Sequence, residues 1–134
     1  MVSSRRRTEI RSRAHMGDDM TAKTQTMSFS NRPKLITGMS VVGEKEGSGP
    51  LGKYFDVVEH DPKMGKTTFE KGETAMFAEA IEGAAAKAGM SVFDIGALFA
   101  GDLLNQLVSS GYAARDLPVS YFGLYSACST MTEA

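Results

Sequence analysis

Tryptophan is absent from this chain, and cysteine occurs once in 134 residues. A single cysteine excludes an internal disulfide framework and any cysteine-rich zinc site. A lone thiol fits a reducing compartment, where it survives unpaired. No apolar run approaches the roughly 18–20 residues that a membrane-spanning helix needs, so any membrane association is expected to be peripheral. An excess of one charge is missing too: 15 Lys and Arg against 16 Asp and Glu give a net charge of −1. That balance argues against a nucleic-acid binder as a whole. What the chain does have is a length suited to one domain and 42% hydrophobic residues, enough for a core.

Residues 1–30 differ from the rest. Arg5, Arg6, Arg7, Arg11 and Arg13 crowd the start, and a polar stretch follows without apolar periodicity. A basic, disordered arm is the expectation, since too little apolar surface is present to offset chain ordering. No apolar core follows the arginines, so the arm does not read as a secretory signal. An initiation at Met20 or Met27 would make it an untranslated leader of the natural protein.

Structure is expected from near Pro33. Leu35 to Val42 is β-prone on both sides of Gly38, as a bulged strand or two short strands. Gly43 to Gly52 is rich in turn residues and lacks the Gly-Lys-Ser/Thr ending of a phosphate-binding loop. It reads as a surface turn. Tyr54, Phe55, Val57 and Val58 form an apolar stretch that ends at Asp61-Pro62. Glu59, His60 and Asp61 are adjacent, but sequence neighbours do not converge on one ion, and no second ligand set follows. His60 is expected to be a loop residue, and no metal site is expected.

A helix is expected from Thr67, where Thr67 and Glu70 are spaced as a capping box, to Gly89. Phe69, Met76, Phe77, Ala80, Ile81, Ala84 and Ala88 repeat at helical spacing and define its buried stripe. A short strand over Ile95 to Ala100 follows. A second helix is expected over Leu103 to Tyr112, with Leu104, Leu107 and Val108 inward. Strands alternating with helices imply an α/β chain with a parallel sheet.

The last fourteen residues organise the rest. Val119 to Leu124 has the length and composition of a buried strand, and it leads through Ser126 and Ala127 into Cys128. Ser129 or Thr130 can cap a helix there, with Glu133 completing a capping box after Thr130. A thiol at such a turn lies near unpaired helix amides, which favour thiolate. In open parallel sheets, sites form beyond the carboxyl ends of strands. Gly101-Asp102 and Ser126 to Cys128 occupy two such ends, with Asn105 and Gln106 near the first. Both ends are expected to line one crevice, with Asp102 and Cys128 in it and Asn105 and Gln106 reaching it from the helix start. Because Ala134 closes the chain just after Glu133, the expected helix is cut short, as in a truncated protein.

Three blocks in order carry a family resemblance: Gly47 to Asp56, Ala100 to Gln106, and Phe122 to Thr130. From about Asn31 onward the chain resembles the stage V sporulation protein AD family, which is thiolase-like and related to β-ketoacyl synthases III. The resemblance implies the N-terminal half of a thiolase-like fold, incomplete here and normally joined to a similar second half. It implies binding of dipicolinic acid, free or as its calcium chelate, with no resident cofactor. It also implies work with the other spore V A proteins at the inner spore membrane, in dipicolinate uptake in the forespore and release at germination. The full-length protein is expected to form a homodimer. Cys128 matches the condensing-enzyme nucleophile, while the matching His and Asn partners belong to downstream segments. Phe69 stands where Trp is expected, and Ser126 where Gly is common.

Two functions compete on these residues. In the first, backbone amides and Ser129 hold a dicarboxylate against an apolar wall. In the second, Cys128 accepts an acyl group from a thioester, with turn amides stabilising the oxyanion. A third reading makes Cys128 a packing residue without chemistry.

Overall fold

A computed structural model describes residues 29–104 and 106–134. The expectations placed on residues 1–28 and on Asn105 lie outside the described residues. The chain divides into two units, Met1–Pro33 and Lys34–Ala134. Of the first, Phe29–Pro33 are described, an exposed stretch with a bend at Ser30 and Asn31.

The second unit is mixed α/β. Its elements run β1 (Val41–Gly43), α1 (Glu44–Gly47), β2 (Val57–Glu59), α2 (Phe69–Lys87), β3 (Ala97–Ala100), α3 (Val108–Arg115), β4 (Ser120–Gly123) and α4 (Thr130–Glu133). Short 3-10 turns at Gly52–Tyr54, Val92–Asp94 and Ala127–Ser129 link them. Both strand pairings are parallel, as the alternation of strands and helices implies. Val41 pairs with Val57 and Gly43 with Glu59. Ala97 pairs with Ser120 and Ala100 with Gly123. The described strands form two separate pairs instead of one sheet. No helix among the described residues is long and apolar enough to cross a membrane.

The first pair is shorter than its β-prone residues suggest. Leu35 and Ile36 are exposed and unpaired in any sheet, so the strand is confined to Val41–Gly43. Asp56 explains where pairing starts. Its carboxylate accepts from the Ser40 amide at 2.8 Å and the Ser40 hydroxyl at 3.0 Å, and from Lys87 Nζ at 2.7 Å. The Asp56 amide donates back to Ser40 Oγ at 3.1 Å. These bonds fix the entrance of both strands and tie them to the end of α2. The Lys87 ammonium, helped by the two Ser40 donors, holds the Asp56 carboxyl at about 2, below its ordinary 3.8.

The glycine-rich stretch, expected as a surface turn throughout, opens with the short helix α1 and turns only from Ser48, and its glycines serve packing. A Cβ on Gly47 would strike the Val58 side chain, and one on Gly52 would strike the Gly47 carbonyl. After β2, the Asp61 carboxylate accepts from the amides of Lys63 at 3.0 Å and Gly65 at 2.7 Å. Those bonds lower its pKa and close the turn that delivers α2. His60 is exposed at this loop, 3.8 Å from Glu44 Oε1.

The cap of α2 is Thr68, one residue later than expected, and its hydroxyl accepts from the Lys71 amide at 3.3 Å. The buried face also differs from the expected stripe. Phe69 is exposed, while Gly72 and Ala85 are the buried residues of α2. Small residues win because α2 packs on other backbone: Gly72 lies against Lys63, and Gly83 leaves room for the Met39 side chain. The same holds for α3, which starts at Val108 and buries Ser109, Ser110, Ala113 and Ala114. The expected inward residues Leu104 and Val108 are exposed. Gln106 and Leu107 both take positive φ, 46° and 78°, so no helix can run through them.

Candidate functional site

β3 and β4 lie side by side and parallel, so their carboxyl ends open in the same direction. Beyond β3 come Gly101 and Asp102; beyond β4 comes the turn that carries Cys128. The two ends touch. The Leu124 amide donates to the Ala100 carbonyl at 2.9 Å, extending the ladder past Gly123. A Cβ on Gly101 would run into the Leu124 carbonyl and lie 3.2 Å from Thr130 Cγ2. Only glycine lets the cysteine turn approach this closely.

The turn is built by its own hydroxyls. Ala127 has φ 44°, a left-handed conformation that bends the chain immediately before Cys128. The Ser129 amide and Ser129 Oγ both donate to the Ser126 carbonyl, at 3.0 and 2.8 Å. Thr130 Oγ1 donates to the Ala127 carbonyl at 2.8 Å. Ser126 Oγ lies 2.5 Å from Ser129 Oγ and donates to the Glu133 carboxylate. The expected capping box is therefore replaced: neither Ser129 nor Thr130 caps α4 with its side chain, and Glu133 bonds to Ser126 instead. Seryl and threonyl oxygens so close to local carbonyls turn back onto them. Cys128 and Ser129 are both exposed on this turn. The helix α4 follows directly, over Thr130–Glu133.

Asp102 is placed differently. It is 9% exposed, and its Oδ2 accepts from the Ser110 amide at 2.9 Å and the Ser110 hydroxyl at 2.6 Å. Ser110 Oγ in turn lies 2.8 Å from the Tyr121 hydroxyl, which also reaches the Ala100 carbonyl at 3.3 Å. Ser110 and Tyr121 are functional-site neighbours that sequence reasoning missed. The signal was faint: a serine in the first turn of a short helix, and a tyrosine in a four-residue strand. Asn105 lies outside the described residues, and Gln106 is exposed.

Concave surface is found elsewhere. A groove of about 680 Å3 runs between α2 and α3, with Thr74, Ala78, Glu82, Ser109, Tyr112 and Leu117 among its walls. A second hollow on α2 includes Met39 and Gly83. Among the described residues, no set of three His, Cys, Asp or Glu side chains could hold a metal ion.

Known proteins match this chain in sequence. Residues 23–134 match the family described as Stage V sporulation protein AD (SpoVAD). The Stage V sporulation protein AD of Bacillus subtilis (strain 168) is 34% identical over 109 residues, which cover 81% of this chain and 32% of that protein. The chain thus spans about a third of the length of this relative. The match includes both strand ends and the whole cysteine turn, and it supports a role in sporulation. By both matches the chain belongs to the stage V sporulation protein AD family.

Proposed function

We propose that this chain contributes the dipicolinate-binding part of the spore V A transport system, acting in uptake during sporulation and release at germination. The observation that carries the reading is the family match across residues 23–134, which takes in the exposed Cys128 turn beyond two parallel strands. In this reading Cys128 and Ser129 face the ligand, and the thiolase-like architecture completes the pocket. The other spore V A proteins hold the assembly peripherally at the inner spore membrane, and the full-length protein pairs with a second copy.

The charge at the turn selects the ligand form. Glu133 bonds to Ser126, so a carboxylate stands beside Cys128 and Ser129. A free dicarboxylate dianion is repelled there, whereas its neutral calcium chelate is not. The chelate is therefore the better-matched form. Isothermal titration of the chain with dipicolinate, with and without calcium, tests this. Saturable heat that is stronger with calcium is expected, and isophthalate, which lacks the ring nitrogen, should give none. Absence of heat with both dipicolinate forms would remove the reading.

A second reading is favoured by the exposed thiol behind the left-handed Ala127. In it, Cys128 Sγ attacks a thioester carbonyl; the new S–C bond forms as the donor thiol leaves with the cysteine's proton. The one described histidine, His60, faces Glu44, so it does not serve as the base for that transfer. Incubation with acetyl-CoA followed by intact mass spectrometry separates the two readings, because only acyl transfer adds an acetyl group to Cys128.

A further inference from the structure

We propose that Asp102, Ser110 and Tyr121 form a positioning relay that sets the geometry of the cysteine turn, and that Asp102 acts through this relay and not as a ligand contact. The inference rests on the reading of the Cys128 turn as part of the binding site.

Proton counting fixes the direction of the relay. Asp102 Oδ2 can only accept when ionised, and Ser110 donates to it twice: the amide at 2.9 Å and the hydroxyl at 2.6 Å. The short O–H···O contact is that of a charge-assisted bond. Ser110 has one hydroxyl proton, which is thereby committed to the carboxylate. Its oxygen is left to accept, and the Tyr121 hydroxyl at 2.8 Å is the donor, sharing its one proton with the longer 3.3 Å contact to the Ala100 carbonyl. The order is Tyr121 to Ser110 to Asp102. Ser110 is fully buried and Asp102 is 9% exposed, so water competes poorly for these bonds.

The relay joins three elements at the point that matters. Tyr121 belongs to β4, Ser110 to α3, and Asp102 follows β3 directly. Holding Asp102 against α3 fixes its neighbour Gly101, whose Cα faces the Leu124 carbonyl and Thr130. Leu124 and Thr130 bracket Cys128. A shift of Asp102 therefore passes through one glycine into the turn. Two features of the chain make the arrangement specific. Ser110 is a helix serine whose hydroxyl bonds to Asp102, eight residues back, instead of to its own helix. Tyr121 ends in the same buried network although it lies on a strand.

The test uses the 134-residue chain and the rate at which iodoacetamide alkylates Cys128, far below the melting temperature and in sub-denaturing urea. Tyr121→Phe keeps the ring and deletes the hydroxyl, with its bonds to Ser110 Oγ and the Ala100 carbonyl; Ser110→Ala deletes the middle of the relay. Each is expected to change the alkylation rate by roughly three- to tenfold, the span carried by one hydrogen bond. The double variant should change it by less than the product of the two single effects, because both cut the same relay. Tyr112→Phe, on the exposed face of α3, should leave the rate unchanged. Circular dichroism accompanies each variant, and the mild Tyr121→Phe keeps the test valid if Ser110→Ala unfolds. A purely structural role lowers the melting temperature but leaves native-state alkylation as it was; unchanged rates in folded Tyr121→Phe overturn the proposal. The readout needs no dipicolinate. Failure of dipicolinate to bind the unaltered chain would sink the function but not the relay, while binding with unchanged alkylation would do the reverse.

Discussion

Ala127 is a single residue whose backbone decides what Cys128 can do. Its φ of 44° costs an L-residue on the order of 1–2 kcal/mol. It is held there by the hydroxyl and amide bonds of Ser126, Ser129 and Thr130 around it. Ala127→Val is expected to lower stability by about 1–2 kcal/mol in urea denaturation, because a β-branched residue resists this conformation. Ala127→Gly should stay within about 0.5 kcal/mol of the parent, as relieved strain offsets added chain entropy. Asp56 supplies the second test at this scale. Its folded pKa of about 2 lies below the ordinary 3.8 because of Lys87 and Ser40. A depressed carboxyl stabilises the fold fully above its unfolded pKa, and that contribution fades as pH falls through the folded one. The difference in melting temperature between the parent and Asp56→Asn should therefore be full at about pH 5 and shrink steadily toward about pH 2. A constant difference across that range would mean the Asp56 bonds do not form. The existence of a cysteine turn was legible from residue types, but its hydroxyl pattern was not. Spacing allowed Glu133 to cap Thr130, and only three-dimensional proximity showed Ser126 to be its partner.

α2 was the most legible element, since nineteen residues of helical spacing between a threonine cap and Gly89 leave few alternatives. Its face was less so. Periodicity marks which residues could be buried together, and it does not know what lies opposite. Here the opposing surfaces are backbone and small side chains, so Gly72 and Ala85 are inside while Phe69 is not. Thr68→Ala should cost about 0.5–1 kcal/mol in thermal or urea unfolding, the low end for a cap because its bond to the Lys71 amide is 3.3 Å long. Gly83→Ala tests the close approach of Met39, whose Cε would lie 2.7 Å from the new Cβ. The flexible thioether can move aside and alanine gains about 1 kcal/mol of helix propensity over glycine, so a net change within about 0.5 kcal/mol is expected. α3 was misplaced by five residues at its start because nothing in Leu103 to Leu107 announces positive φ. Helix propensity is a local quantity, and the two consecutive residues of positive φ lie between Asp102 and Ser110, which bond to each other across them.

For Lys34–Ala134 taken whole, the balance between covered and open apolar surface governs behaviour. The buried apolar residues among those described are Ala85, Ala113 and Ala114, whereas Phe99 and Phe122 stack at 4.8 Å with both rings about half exposed. Two-stranded parallel pairs also leave unpaired edges, and parallel strands are normally covered on both faces. Self-association that rises with concentration is therefore expected in sedimentation velocity, and Phe99→Thr with Phe122→Thr should reduce it. A concentration-independent monomer would refute this. The sequence by itself determined the α/β class, the parallel pairing, the long helix α2 and the position of the lone thiol after a strand, because hydrophobic period and turn residues are local and additive. Only the tertiary structure decided that Asp102 joins Ser110 and Tyr121, that Gly101 lets two strand ends touch, and that small residues form the interior. Those outcomes depend on which backbones meet and how closely, a property of pairs distant in the chain that no single stretch encodes.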